Sequence, residues 1–445
     1  MSRLKSYQYL AHVRALEIQY STLVREALGW VSVLSGLGSR KPAVRAAKLV
    51  RGMGLMVSQK SQNRVAAMLR RSPGIEAPDV WRETISMHHQ YGSVFRKQPA
   101  LTRSIVLKAP APNGEKGVLL LTYEYNWARL LLGLDDAQLR WLTERFHIVL
   151  SSSSSPTSYS ALALAVSRIP DLVFVQACNP DEYERIERFH PRLRSLPVMP
   201  CDWIKPELYR PKPMAERTRD VIIVSFWGPV KRHWEFFAML KKLPASLKIT
   251  LVGQTDGVRK KEDMLRIARD MGVKQDLEMH QSIPVEKVAE LQCDSKVSVI
   301  MTRREGCCVA AVESLFAGAA LAMRSDAHIG PLAYINEQTG MLLRPGHTAA
   351  DLAALLERAP GMRPQDWASE NVSCYQSHRK LDEFFNKVAL DEGRPWTRGI
   401  VMPVWRAHPT FADSADQENV RPIYDELHRR MPQVFPVDLV TESWR

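Results

Sequence analysis

The 445-residue chain lacks several things at once. Its six cysteines stand at 178, 201, 293, 307, 308 and 374, with no Cys-x2-Cys pair and no zinc spacing. That excludes a metal knuckle and a disulfide framework, and it suits a reducing cytoplasm. No apolar run reaches the ~18 residues that a membrane span needs, and Ala27 to Gly38 is apolar but short. Polar and charged residues interrupt the start of the chain, so no signal peptide is expected there. Asp-x-Asp is absent, so a metal–diphosphate bridge has no evident ligands and no metal is expected. Acids are scarce at one end. Residues 1–72 hold thirteen Lys and Arg against two acids, Glu17 and Glu26, so eleven of the chain's thirteen net positive charges lie there.

That asymmetry points to an anionic partner for residues 1–72, read as a basic helical extension. A helix is expected from Arg3 to about Leu28, then a Gly/Ser break at Ser35–Ser39, then a second helix from Pro42 to Arg71. On the second, Val44, Leu49, Leu55, Met56, Val65 and Leu69 alternate with Arg45, Lys48, Arg51, Lys60, Arg64 and Arg70. Such a helix suits an anionic membrane surface, and equally a basic cap packed on an enzyme. It carries no aromatics, which disfavours nucleic acid.

Beyond the break at Ser72-Pro73-Gly74, short apolar runs alternate with helical patterns. Gly117–Thr122, Ile148–Leu150 and Leu172–Gln176 read as buried strands of a small parallel sheet, residues 73–205. Leu130–His147 reads as a single helix that His147 ends. The proline-rich Leu196–Pro213 reads as a linker. A second sheet domain is expected over 206–385, with strands at Val221–Ser225, Lys248–Gly253, Glu278–Ile283, Val297–Met301 and Ala319–Met323. The tail, 386–445, holds Trp396, Trp405, Tyr424 and Trp444, and packing on the first domain is its default role.

The stretch Thr302–Gly318, TRREGCCVAAVESLFAG, follows the Val297–Met301 strand. Glu305 and Glu313 are eight apart, 80° past two helical turns. Both carboxylates then border one opening at the carboxyl end of the strand, where open α/β sheets bind ligands. The spacing also fits a surface helix with two solvated acids. Gly306 lets backbone approach a ligand, and Lys231-Arg232, in the loop after Val221–Ser225, suits a diphosphate or merely starts a helix. Cys307-Cys308 reads as a pair of small packing residues. Glu124 suits a base, an acceptor contact or a polar loop.

Together with Gly318, Gly330, Gly340, Pro345 and Gly346, this series resembles the donor half of GT-B glycosyltransferases of the retaining family-4 type, over roughly residues 220 to 385. The resemblance implies an α/β fold of two Rossmann-like domains facing a cleft. It implies a metal-independent, retaining transfer of a sugar from a nucleotide-diphosphate sugar, with no cofactor. It puts Glu305 on the donor sugar, Glu313 on the ribose, and Lys231 and Arg232 at the diphosphate. Thr302, Gly306, Gly228 and Ser282 complete the expected nucleotide-sugar site. The acceptor expected is lipid-linked or a glycan, at the inner face of a membrane. The adjacent cations of Lys231-Arg232, and Thr122–Asn126 in place of a Gly-Gly loop, depart from the family pattern and leave open a non-catalytic binding or scaffold role.

Overall fold

A computed structural model describes residues 11, 13–15, 17–18, 20–75, 77–87, 104–405 and 409–435. The chain divides into two compact units, one of residues 19–200 with 377–445 and the other of 1–18 with 201–376.

The first unit opens with four helices, α1 (Thr22–Leu37), α2 (Pro42–Leu55), α3 (Gln59–Arg70) and α4 (Pro78–Ser86). The segment expected as one helix from Pro42 to Arg71 breaks at Met56, and Ser58 caps α3 by accepting from the Ser61 N–H at 3.3 Å. Helices α1 and α2 pack closely where Gly29 faces Gly52. A Cβ on Gly52 would meet the Gly29 carbonyl at 2.9 Å and Val33 at 2.6 Å. The apolar face of α2 (Ala43, Ala46, Leu49, Val50, Met53) is buried in protein. Of the two readings of that helix, the structure shows the packed cap. It is α1 that turns an apolar face outward, with Leu23 83%, Val31 62% and Leu34 65% exposed.

The sheet of this unit runs β1-β2-β3-β4-β5: β1 (Ser104–Lys108), β2 (Gly117–Thr122), β3 (Phe146–Ser151), β4 (Val173–Gln176) and β5 (Leu193–Ser195). The strands from β2 onward are parallel, and β1 lies antiparallel against β2. Sequence reading did not anticipate β1. The crossovers carry α5 (Glu124–Gly133) and α6 (Asp136–Arg145), then α7 (Tyr159–Arg168), then α8 (Tyr183–Phe189). The expected single helix at Leu130–His147 is thus corrected to two helices and a strand. Asp135 and Gln138 form a capping box that restarts the chain as α6. His147 does not end a helix; it is a buried β3 residue packed on Phe174 and Phe385. Burial and neighbouring cations push its imidazole down to about 3, so it is neutral.

The second unit holds a six-stranded parallel sheet in the order β11-β10-β9-β6-β7-β8. Its strands are β6 (Arg219–Val224), β7 (Ile249–Gly253), β8 (Leu277–Gln281), β9 (Ser295–Ile300), β10 (Ala320–Arg324) and β11 (Gly340–Leu343). Between them lie α9 (His233–Leu240), α10 (Lys261–Asp270), α11 (Val285–Cys293), α12 (Val309–Phe316), α13 (Thr348–Arg358) and α14 (Pro364–Asn371). Its core joins Val221, Ile223, Leu251, Val297 and Val299 of the sheet to Phe236, Phe237 and Leu352 of the helices, and Val13 belongs to the same cluster. Burying such side chains is the main stabilising term, ~1.5–3 kcal/mol each.

After α14 the chain continues as α15 (Cys374–Asp391). From Ser377 the chain belongs to the first unit again, where β12 (Pro403–Trp405), β13 (Pro409–Phe411) and α16 (Ser414–Arg430) follow. Tyr424 is buried; its hydroxyl accepts from the Val106 N–H at 3.0 Å and donates to the Ser104 carbonyl at 3.4 Å, while Trp396 stacks on Phe385 and lies under Lys108 Nζ. Trp444 lies outside the described residues. The α/β class and two Rossmann-like sheets expected from the sequence are present.

Candidate functional site

In the six-stranded sheet the chain runs outward from β6 through β7 to β8, then returns to the other side of β6 as β9. That reversal opens a crevice at the carboxyl ends of β6 and β9, the place where open α/β sheets bind ligands. A small cavity of about 50 Å³ lies there, lined by Val224 at the end of β6 and Ser225 after it, by Lys231, by Thr302 and Glu305 after β9, and by the start of α12.

The structure brings Lys231 and Glu305 together, Nζ on Oε1, with the ammonium also over the Phe226 ring. The other oxygen of Glu305, Oε2, is buried with no hydrogen-bond partner. A buried acceptor left unpaired costs ~1–3 kcal/mol, and such groups call for an explanation. Thr302 is buried beside the pair, and Gly306 forms the bend between Glu305 and Cys307. Cys308 is buried, and burial together with Glu305 pushes its thiol well above the ordinary range, so it is no thiolate.

Glu313 lies further along α12, outside the residues that line the crevice. Burial pushes its carboxyl up to about 7, against a hydrogen bond with Tyr209 that lowers it. Tyr209 in turn stacks on Phe316. Ser282 is exposed after β8, its N–H on the Gly253 carbonyl at 2.9 Å. A Cβ on Gly228 would meet the partly exposed Phe226 ring at 2.1 Å, so a side chain there would displace that ring.

Arg232 is not brought to the crevice with Lys231. It is buried, in a left-handed conformation at the start of α9. Its guanidinium joins a closed ring of alternating charge that sequence reading did not reveal. Glu17 pairs with Arg232, Arg232 with Glu235 at 2.7 Å, and Glu235 with Arg324. Arg324 pairs with Asp326 at 2.8 Å, Asp326 with Arg303 at 3.2 Å, and Arg303 with Glu17 at 3.3 Å. Burial alone would raise Asp326; Arg324 and Arg303 outweigh it and hold the carboxyl low. The neighbouring His233 is fully buried, its Nε2 3.1 Å from Ser225 Oγ, and burial with the Lys231 charge pushes it down to about 3.

The non-glycine residues with left-handed backbone among those described are Tyr123, Arg232, Ser282 and Cys308. Each falls in a loop at the carboxyl end of a sheet strand, after β2, β6, β8 and β9 respectively. Strain of ~1–3 kcal/mol per residue collects at functional loops in this way.

In the five-stranded unit, Glu124 begins α5 and is buried. It accepts from Ser152 Oγ and Ser153 Oγ at 2.6 Å each, from Ser154 Oγ at 3.0 Å and from the Ser153 N–H at 3.2 Å. Glu182 accepts from Ser155 Oγ and from the Thr157 N–H at 2.7 Å. Of the roles open to Glu124, the structure shows a clamp that shapes the serine loop after β3. None of the described residues forms a cluster able to hold a metal ion.

No family model matches the sequence, and no curated protein matches it. Solved structures similar to the chain include a sucrose-phosphate synthase from Thermosynechococcus elongatus, 15% identical, covering 62% of this chain and 74% of that one, with a TM-score of 0.48. A TarM variant from S. aureus, in complex with fondaparinux, α-GlcNAc-glycerol and UDP, is 12% identical over 54% of this chain and 50% of that one, with a TM-score of 0.44. Anabaena HepE in complex with UDP-glucose is 13% identical over 60% and 78%, with a TM-score of 0.45. These likenesses are to glycosyltransferases of the GT-B type; what this chain does is argued from its own residues.

Proposed function

We propose that the chain is a glycosyltransferase that takes a sugar from a nucleotide-diphosphate sugar, by a retaining and metal-independent route, and passes it to a lipid-linked or glycan acceptor. The observation that carries this reading is the orphaned Oε2 of Glu305 beside the Lys231 ammonium, at the reversal of the six-stranded sheet. Lys231 supplies a cation for the diphosphate, whose charge grows as the glycosidic bond to it breaks. Glu305 Oε2 accepts from a hydroxyl of the donor sugar. The leaving phosphate takes the acceptor's proton, so no separate base is called on. Glu313 keeps the ribose role implied by the family resemblance; to reach it, a nucleotide exchanges the Tyr209 hydroxyl for a ribose hydroxyl. The four loops with strained backbone, after β2, β6, β8 and β9, support a ligand at these strand ends.

The reading of an acceptor at a membrane surface is supported by α1, which presents Leu23, Val31 and Leu34 to solvent, with Arg40 and Lys41 shortly after it. An exposed apolar helix face flanked by cations suits an anionic bilayer. No helix among the described residues is long and apolar enough to cross a membrane, so contact from one side is the form this association takes.

A thermal-shift screen against nucleotide sugars tests the reading. Stabilisation by at least one, lost in Lys231→Met, supports it. A flat response to all of them favours a scaffold role instead.

A further inference from the structure

A cavity larger than the crevice of the six-stranded sheet lies elsewhere. It lies in the five-stranded unit, about 490 Å³, between α2, the end of α4 and the serine loop that leads from β3 into α7. Ligand pockets run from roughly 300 to 1,000 Å³, so a substantial molecule fits. Two kinds of wall meet there. Val50, Leu55 and Met87 give an apolar side, while Lys48 and Arg51 bring two cations. Among the described residues that line the chamber there is no carboxylate to balance them. Lys48 Nζ donates to Ser35 Oγ at 2.7 Å, and Arg51 is exposed.

The serine loop looks like a polar wall suited to sugar hydroxyls, but several of its polar groups are already engaged within the protein. Ser154 Oγ donates to Glu124, the Thr157 N–H donates to Glu182, and Ser158 Oγ accepts from the Ala161 N–H. The loop also brings the largely apolar side chains of Pro156 and Tyr159 to the wall. A neutral saccharide would lose its water here without gaining equivalent hydrogen bonds. An inorganic anion would gain the cations and leave the apolar side uncovered. An occupant that answers both walls has an apolar chain and an anionic head.

We propose that this chamber binds the acceptor lipid, a long-chain or prenyl phosphate whose chain lies against Val50, Leu55 and Met87 and whose phosphate meets Lys48 and Arg51. This rests on the proposed transfer to a lipid-linked acceptor and names the site for it. It also gives the added helices a part beyond capping, since α2 and the end of α4 build about half of the wall.

Gly54 makes the proposal testable. It lines the chamber from α2, and a Cβ built there meets no heavy atom within 4 Å. Gly54→Phe therefore sends its ring into the chamber from a Cβ that has room around it, and replacing a helical glycine favours α2 by ~0.5 kcal/mol. Binding of farnesyl phosphate to the full-length protein, followed by titration calorimetry, is expected to be saturable and to weaken at least tenfold in Gly54→Phe. In the double variant Lys48→Ala/Arg51→Ala, which leaves the space open, a loss of at least fivefold is expected. Farnesol is expected to bind at least tenfold more weakly than farnesyl phosphate, and inorganic phosphate not to compete. No farnesyl phosphate binding, equal binding in both variants, or full competition by inorganic phosphate overturns the proposal. Titration of Gly54→Phe with UDP reads the donor site separately. Nucleotide binding without farnesyl phosphate binding sinks only this inference, and the converse sinks only the donor assignment.

Discussion

Lys231 and Glu305 are 74 residues apart in sequence and form an ion pair where β6 and β9 end. The pair fixes both groups and leaves one carboxylate oxygen buried without a partner. Glu305→Gln keeps the size of the side chain and frees the ammonium. Tighter UDP binding by a few-fold is expected, together with a loss of turnover of at least a hundredfold. Parallel titrations and steady-state assays check this; unchanged turnover would remove Glu305 from the reaction.

Glu17 closes the charge ring through Arg232 and Arg303. It occupies two guanidinium groups with a carboxylate, as a phosphate would. Glu17→Gln is expected to cost about 1 kcal/mol of stability, because Glu17 is partly exposed. It is also expected to strengthen UDP binding at low salt, with the gain fading as ionic strength rises. UDP titrations at 20 mM and 300 mM salt give the comparison, and an equal affinity for wild type and variant at both would show that the ring is purely structural.

Glu313 gives a pH signature. Its folded pKa, about 7, is raised above the ordinary carboxylate value of 4.5. The folded state therefore holds the proton that the unfolded state has lost, and stability falls as pH rises from about 4.5 to about 7. The cost is complete above that window and absent below it. Glu313→Gln is expected to raise stability by roughly 3 kcal/mol at pH 8.5 and to change it little at pH 4.5. Melting curves at the two pH values decide it; a gain that is the same at both would mean that the carboxyl is not the source.

The serine loop depends on Glu124. Ser152, Ser153 and Ser154 all donate to it. Glu124→Ala leaves several donors without an acceptor and is expected to destabilise the protein by about 2–4 kcal/mol. Denaturant unfolding measures this, and a change below about 0.5 kcal/mol would show that the loop holds its shape without the clamp.

Much of the fold was legible because parallel strands buried on both faces read as continuous apolar runs. Val221–Ser225, Lys248–Gly253 and Val297–Met301 stand out for that reason, and β6, β7 and β9 lie there. His147 misled because the helical pattern continues to its neighbour Phe146, while the Asp135–Gln138 capping box starts a second helix only shortly before β3. Lys231 and Glu305 could be placed at strand ends from sequence because each follows a strong strand signal. Their pairing, and the turn of Arg232 away from it, could not. Arg232 is held by Glu17, 215 residues distant, and by Glu235 on α9. No local pattern reports such a contact. The same holds for α2, whose basic stripe was visible but whose apolar face found a partner in the fold, leaving α1 as the exposed helix.

The membrane reading rests on α1 alone. Val31→Glu/Leu34→Glu places two charges on its exposed face, and loss of co-sedimentation with vesicles containing anionic lipid is expected, with no change in melting temperature. Retained sedimentation would move the contact elsewhere.

The central claim is that the crevice between β6 and β9 holds a nucleotide diphosphate through Lys231. Titration calorimetry of the full-length protein with UDP, GDP and ADP, repeated on Lys231→Met, tests it most directly. The account predicts saturable binding of at least one nucleotide to wild type and an affinity at least tenfold lower in the variant, a difference of about 1.4 kcal/mol. Binding of none, or binding that Lys231→Met leaves unchanged, would contradict it.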